Sequence, residues 1–394
     1  MMNPSKICSF LSVITSIFLL SSCILLRQKD NDRTLFPENQ VLLENFVQTI
    51  KFRYDKWMYI NSSLGNSGSN EYLLDTGSPC ILRFEDKKEL GLKSKKFARL
   101  GPMKLDYTST NVTIGHLKFD KIGFMVMDFS NFQSMLGVNI MAPYIWQFDF
   151  NDTTIKITDS KENLELAGLL PIPFKPYNEQ ETPVMQLIIN GADTIEAFID
   201  TGYPGFCQLN KDVDISNFNA SVATSHYDKY YDKKRKKNDS LIYSDYILLS
   251  NLAIGHIELK NEVVVRNGGY QGENLLGLRF LRKFESTIDW KEHVLYLKLG
   301  EENVETKNHF NYGFDWYRWK NQIMITYIYE GSSAEELGLQ TGFIIETIKG
   351  VSVSKLDDFS IYNLLSVSSS NQEISIKCFR LKNEIVLKSA YLFK

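Results

Sequence analysis

Apolar and polar residues alternate in many short runs along this chain, with the two-residue period of a strand that buries one face. Val112, Ile114, Leu117 and Phe119 surround a glycine turn, and Ile122, Phe124 and Val126 then fall on one face. Glu262 to Val265 and Val294 to Leu299 are further short runs of β-branched or apolar residues, and Ile323 to Ile328 is another. Helical spacing is rarer. It predicts a helix over Glu85 to Leu92, a short one that Ser333 caps and that runs through Leu337 to a stop at Gly338, and one over about Asp357 to Ser366 with Phe359, Tyr362 and Leu365 on one face.

One apolar stretch breaks the alternation. Ile7 to Ser22 is apolar and small, preceded only by the positive charge of Lys6. It is short for a spanning helix and suits the core of a secretory signal. Its end, Leu20-Ser21-Ser22-Cys23, resembles the lipobox of bacterial lipoproteins, in which the cysteine is lipidated and becomes the new N-terminus. An ordinary signal peptide or an uncleaved anchor is the alternative, and both also place the body outside the cytoplasm. On the lipoprotein reading, residues 1–22 are the signal, Cys23 carries the lipid and residues 23–45 are a polar tether. Ile24 follows the cysteine where some lipoproteins carry an inner-membrane aspartate, so the expected site is the cell envelope, at the outer membrane.

Composition narrows the function. With 394 residues, 43% hydrophobic and 23% charged, the chain is globular and long enough for two or three domains. Its 44 Lys+Arg against 47 Asp+Glu give a net charge of −3, which argues against a nucleic-acid partner. Cys8 and Cys23 belong to the leader, leaving Cys80, Cys207 and Cys378, an odd number that fits no disulfide framework. No Cys-x-x-Cys occurs and the histidines do not pair at ligand spacing, so no metal is expected.

An internal repeat carries the most information. Asp75-Thr76-Gly77 recurs 125 positions on as Asp200-Thr201-Gly202, each after an apolar run. Ile114-Gly115-His116-Leu117, Leu136-Gly137 and Phe148-Asp149-Phe150 recur as Ile254-Gly255-His256-Ile257, Leu276-Gly277 and Ile288-Asp289-Trp290, all 140 positions on. The change of offset places 15 extra residues in the second copy, with Tyr227 to Ser240 the candidate segment.

Two Asp-Thr-Gly motifs at strand ends, in register with three further landmarks, resemble the two lobes of an aspartic protease, in particular bacterial members with retropepsin-like lobes. The resemblance covers about residues 52–300 and implies a mainly β fold of two pseudo-symmetric acid-protease lobes, 46–170 and 171–300. It implies that Asp75 and Asp200 form a catalytic dyad that activates a water for peptide hydrolysis with no cofactor. It implies further that Thr76 and Thr201 lock the two loops, that Gly77 and Gly202 allow their close approach, and that Ser78 hydrogen-bonds Asp75. Tyr203 stands where the second copy would have that serine, and Gly205-Phe206 is an extra step before Cys207. The alternative on the same scaffold is a lipoprotein that binds peptides without cutting them.

The same resemblance implies flaps over the cleft. The first is expected near Phe97 to Thr110, around Gly101-Pro102, with Tyr107 as the aromatic over the site. The second falls on the insertion, Tyr227 to Asp239, whose run Lys233 to Lys237 reads as a solvated tip or as a patch for acidic substrate or lipid headgroups. His116 and His256 read as hairpin positions, and Cys80 and Cys207 as buried packing near the site.

Beyond a polar linker at 301–308, residues 304–394 resemble a PDZ domain of the bacterial protease-associated kind. The matching residues are Gly331-Ser332-Ser333-Ala334 to Gly338-Leu339, then Gly342-Phe343-Ile344-Ile345 and Ile348-Lys349-Gly350. The resemblance implies capture of a peptide C-terminus or extended segment as an added strand, with Tyr312, Gly313 and Phe314 as the carboxylate loop. The fuller Gly-x-Gly-hydrophobic pattern is missing, so a module that only buttresses the lobes is the alternative. The expected partners are a peptide or protein substrate, a captured peptide, and the membrane through the lipid.

Overall fold

A computed structural model describes residues 44–54, 57–100, 103–127, 133–177, 180–191, 193–228, 241–300, 310–319, 322–367, 369–379 and 381–393. The leader, Cys23, nearly all of the tether, the Gly101-Pro102 turn, the basic run 233–237 and the linker 301–308 lie outside these residues. Among the described residues no helix is long and apolar enough to cross a membrane.

The protein is mainly β, with barrel-like sheets and few helices. The first half contains β1 (Val47–Tyr54), β2 (Met58–Leu64), β3 (Asn70–Asp75), β4 (Ile81–Arg83), β5 (Lys95–Leu100), β6 (Met103–Ile114), β7 (Leu117–Met127), β8 (Met135–Gly137), β9 (Ile145–Asp149) and β10 (Thr154–Thr158). The second contains β11 (Leu170–Pro173), β12 (Lys175–Tyr177), β13 (Thr182–Ile189), β14 (Asp193–Ile199), β15 (Cys207–Leu209), β16 (Ser221–Asp228), β17 (Leu241–Leu249), β18 (Leu252–Ile254), β19 (Ile257–Leu259), β20 (Glu262–Asn267), β21 (Leu275–Leu276), β22 (Phe284–Asp289) and β23 (Val294–Leu299). The C-terminal unit adds β24 (Phe310–Asn311), β25 (Phe314–Trp319), β26 (Gln322–Tyr329), β27 (Ile344–Ile348), β28 (Val351–Ser352), β29 (Glu373–Cys378), β30 (Ile385–Lys388) and β31 (Ala390–Tyr391).

The repeat in the sequence is a repeat in strand pairing. In the first half β3 runs parallel to β8, with Leu74 beside Leu136. In the second half β14 runs parallel to β21, with Ile199 beside Leu276. Likewise β4 lies parallel to β7 and β15 to β20. The Ile-Gly-His motifs form the tight turns β6–β7 and β18–β19, where Gly115 and Gly255 take φ of +60° and +57°, a conformation that favours glycine. His116 and His256 are exposed at those turns. The strands flanking the insertion, β16 and β17, pair as one hairpin from Ser221↔Leu248 to Asp228↔Leu241.

The two halves meet in a shared floor ordered β11-β23-β22-β9-β10-β1. At its centre β9 pairs antiparallel with β22, and Gln147 lies opposite Thr287, its own counterpart 140 residues on. A two-fold relation between the halves must pass through that pair. The side chains meet there too, the Gln147 Nε2 donating to Thr287 Oγ1 at 3.1 Å. One continuous apolar core, including Trp146, Phe148, Ile288 and Trp290, backs the floor and both halves. Burying side chains of this size stabilises by roughly 1.5–3 kcal/mol each, an upper figure for a chain whose unfolded state is partly compact.

Helices are short. α1 (Phe84–Glu89) is shorter than the pattern predicts, because Gly91 at φ +64° follows a C-cap at Leu90. α2 (Val138–Met141) and α3 (Leu278–Leu281) each follow a Leu-Gly motif. The hydrophobic pattern does not announce these turns, since α2 is buried on all sides and shows no amphipathic period.

The C-terminal unit has its own core, built on Ile323, Ile325, Ile345, Ile361, Ile374 and Ile376. α4 (Ser333–Glu336) is capped by Ser332, not Ser333 as the sequence suggests. The Ser332 hydroxyl accepts from the Glu335 N–H at 3.3 Å, while Ser333 Oγ donates to the Lys388 carbonyl at 3.0 Å. Gly338 ends the turn at φ +75°. α5 (Asp358–Leu365) follows Asp357, whose carboxylate accepts from Ser360 N–H at 2.7 Å. The side chains of Phe359 and Tyr362 lie outside the described residues.

Candidate active site

Both Asp-Thr-Gly loops sit at the ends of buried strands, over the parallel neighbours that carry the Leu-Gly motifs. The ladder places Asp75 beside Gly137. Gly137 backs onto the Ser78 and Pro79 carbonyls, and Gly277 onto those of Tyr203 and Gly205, so closely that no Cβ fits at either. The Val138 N–H donates to the Ser78 carbonyl and the Leu278 N–H to the Tyr203 carbonyl, each at 2.8 Å. Ser78 and Tyr203 therefore hold the same place in the two loops.

The loops interlock through their threonines. Thr76 N–H donates to Thr201 Oγ1 and Thr201 N–H to Thr76 Oγ1, both at 3.0 Å. Each hydroxyl in turn donates to the strand of the opposite half, Thr76 to the Ile199 carbonyl and Thr201 to the Leu74 carbonyl, both at 2.7 Å. Four buried hydrogen bonds thus fix one loop to the other with every donor and acceptor satisfied.

This interlock faces the two carboxylates toward each other's glycine. A Cβ on Gly77 would lie 2.5–2.8 Å from the carboxylate of Asp200, and one on Gly202 would lie 2.6–2.9 Å from that of Asp75. Both aspartates are nearly inaccessible, at 1% and 6% exposure. Burial pushes the pKa of each upward. For Asp75, hydrogen bonds from Ser78 Oγ (2.7 Å) and Gly77 N–H (2.8 Å) oppose that rise. For Asp200 the neighbouring Asp75 charge adds to burial, and only the backbone N–H groups of Gly202 (2.8 Å) and Tyr203 (3.1 Å) oppose it. Asp75 is accordingly the better anion and Asp200 the better holder of a shared proton.

Tyr203 gives Asp200 no counterpart of the Ser78 hydroxyl bond. Its ring lies against Gly205, and burial raises its own pKa. The inserted Phe206 is buried, edge-on to Phe280 at 6.0 Å. Cys80 and Cys207 are buried, and burial pushes both thiols up to about 12, which removes them as nucleophiles at neutral pH. Cys80 Sγ accepts from the Gly137 N–H at 3.1 Å.

Tyr107 lies on β6, in the β5–β6 hairpin, half-buried and paired across to Lys95. Burial raises the pKa of its hydroxyl. Tyr312, Gly313 and Phe314 form the turn into β25. Tyr312 and Phe314 are buried in the C-terminal core, and the Gly313 N–H donates to Asn311 Oδ1 at 2.7 Å.

Two supports of the loops escape a reading of the repeat, because neither recurs. The Trp57 indole N–H donates to the Gly202 carbonyl at 3.0 Å, reaching from the first half to the second loop. Asn139 accepts from the Cys80 N–H at 2.8 Å and donates to the Gly123 carbonyl at 2.9 Å, whereas the residue 140 positions on is Arg279.

No family model matches the chain, and no curated protein matches it. Among solved structures it is similar to the aspartic proteinase from Irpex lacteus, at 14% identity and a TM-score of 0.41, over 67% of this chain and 100% of that one. At that distance the likeness goes no further than a mainly β outline, and the functional reading rests on the two loops themselves.

Proposed function

We propose that the protein is an aspartic-type endopeptidase, with Asp75 and Asp200 as its catalytic dyad. The observation that carries the reading is the reciprocal packing of each carboxylate on the other loop's glycine, Asp200 on Gly77 and Asp75 on Gly202. Two buried carboxylates so placed cannot both ionise cheaply, so one proton is shared. Ionised Asp75 takes a proton from a water as its oxygen attacks the peptide carbonyl. Protonated Asp200 donates to the carbonyl oxygen as negative charge develops there. The tetrahedral species collapses as the C–N bond breaks: the amine leaves with the proton that Asp75 collected, and the hydroxyl proton returns to Asp200 as the C=O bond reforms. Water is consumed, and one acid and one amine are released.

The remaining parts of the proposal concern delivery. The lobes are 46–170 and 171–300, and residues 304–394 serve as a PDZ-type module. Support for peptide capture is that the Tyr312-Gly313-Phe314 turn leads directly into β25, which pairs antiparallel with β26. Cys23 carries the lipid that holds the protein at the cell envelope, supported by the Leu20-Ser21-Ser22-Cys23 sequence. Lipid incorporation in cells, lost in Cys23→Ser, tests that part.

The central test is cleavage of a mixed peptide library between pH 3 and 8 by the chain from residue 24 onward, beside its Asp75→Asn and Asp200→Asn variants. Cleavage by the parent is expected to fall by about 10²–10⁴ in each variant while both stay folded. Cleavage that survives either substitution overturns the dyad. No cleavage at any pH favours the peptide-binding scaffold.

A further inference from the structure

The C-terminal unit does not stand apart from the protease-like body. Its β26 pairs antiparallel with β16, Ser225 beside Tyr329 and His226 beside Ile328, and the Glu330 N–H donates to the Thr224 carbonyl at 2.9 Å. Side chains reinforce the seam at two points. Tyr246 of β17 and Tyr329 of β26 both donate their hydroxyls to Asp315 Oδ2 at 3.0 Å, with their rings 4.9 Å apart. At the second, the Tyr327 ring meets Tyr227 of the hairpin edge-on at 5.2 Å. Gly269 leaves the room that the Tyr227 hydroxyl occupies. The next residue, Tyr270, is buried with Val184, Phe198 and Leu275 in the small apolar cluster against which Tyr203 packs. Tyr203 is the residue whose N–H holds Asp200.

We propose that Tyr327 is a positioning residue for the Asp200 half of the site, packing the β16–β17 hairpin against the loop that carries Asp200 and Tyr203. The catalytic unit then extends past residue 300, and the C-terminal unit is part of it whether or not it holds a peptide. This rests on the endopeptidase reading for its kinetic consequence but not for its structural one.

The test uses Tyr327→Ala and Tyr327→Phe in the chain from residue 24 onward, with two readouts. The first is kcat and KM on one peptide the parent cleaves; the second is amide exchange in segments 200–206 and 221–228. Tyr327→Ala is expected to lower kcat by about tenfold to a hundredfold, more than it changes KM, because a displaced catalytic group costs rate. Exchange in both segments is expected to quicken by at least about tenfold. Tyr327→Phe keeps the ring that packs on Tyr227 and loses only the hydroxyl, so it restores most of both. Unchanged exchange in 200–206, or quickened exchange with unchanged kcat, overturns the proposal. If the parent cleaves nothing, the endopeptidase reading fails, and exchange in 200–206 alone decides the positioning role.

Discussion

Ser78 and Tyr203 hold the same place in the two loops, yet Ser78 gives its hydroxyl to Asp75 at 2.7 Å while Tyr203 gives Asp200 only a backbone N–H at 3.1 Å. That inequality sorts the two carboxylates into an anion and an acid. On the proposed endopeptidase mechanism it also makes the acid limb of activity depend on Ser78. The Ser78 bond lowers a pKa that burial raises, so Ser78→Ala moves the limb to higher pH. A hydrogen bond to a charged group contributes roughly 1.5–3 kcal/mol, so kcat/KM on the acid side should fall about tenfold or more, with a smaller loss on the plateau. A pH profile of kcat/KM checks this, and a uniform loss at every pH contradicts it.

Asp200 has a stability consequence of opposite kind. Its pKa is raised on folding, so its contribution to stability is present below its unfolded pKa and is lost as pH rises through the folded one. Asp200→Asn removes the charge that burial and Asp75 resist. The variant should gain stability over the parent at pH 7, by an amount on the order of 1 kcal/mol, and gain less at pH 4. Urea unfolding at the two pH values reads the difference.

The threonine interlock predicts a selective cost. Thr76→Val keeps the shape but removes the acceptor for the Thr201 N–H and the donor for the Ile199 carbonyl, both buried. Each orphaned group costs about 1–3 kcal/mol, so a loss of roughly 2–6 kcal/mol is expected, with the same for Thr201→Val. Thr76→Ser retains both bonds and should lose under about 1 kcal/mol. A small loss for Val beside a larger one for Ser in chemical denaturation would mean the methyl group, not the hydroxyl, holds the loops.

What could be read from the sequence divides along the symmetry. The Asp-Thr-Gly loops, the Leu-Gly strands and the Ile-Gly-His turns occur twice because a two-fold floor centred on Gln147 and Thr287 requires the same local structure on both sides. Contacts that cross the axis once leave no such trace. Trp57 on Gly202 has no second copy, and the β16–β26 seam is made by backbone, which any side chain permits. The sequence places the cap of α4 one residue late, at Ser333, because adjacent serines can both cap and the tertiary contact of Ser333 with Lys388 leaves that role to Ser332. The inequality of Asp75 and Asp200 was half visible: Tyr203 in place of serine is in the sequence, but the resting place of its ring on Gly205 is not.

Trp57 yields the last prediction. Its indole N–H, held at 3.0 Å from the Gly202 carbonyl, ties the start of β2 to the loop that faces Asp75. Trp57→Phe keeps most of the ring and removes that donor, so the loss of stability should stay near 1 kcal/mol. Its effect on rate should be larger than its effect on binding, because Gly202 shapes the wall against the Asp75 carboxylate and a small shift there alters the geometry of attack. A fall in kcat of about threefold to tenfold with KM nearly unchanged is expected. If KM rises while kcat holds, Trp57 contacts substrate directly and the Gly202 bond is incidental to the chemistry.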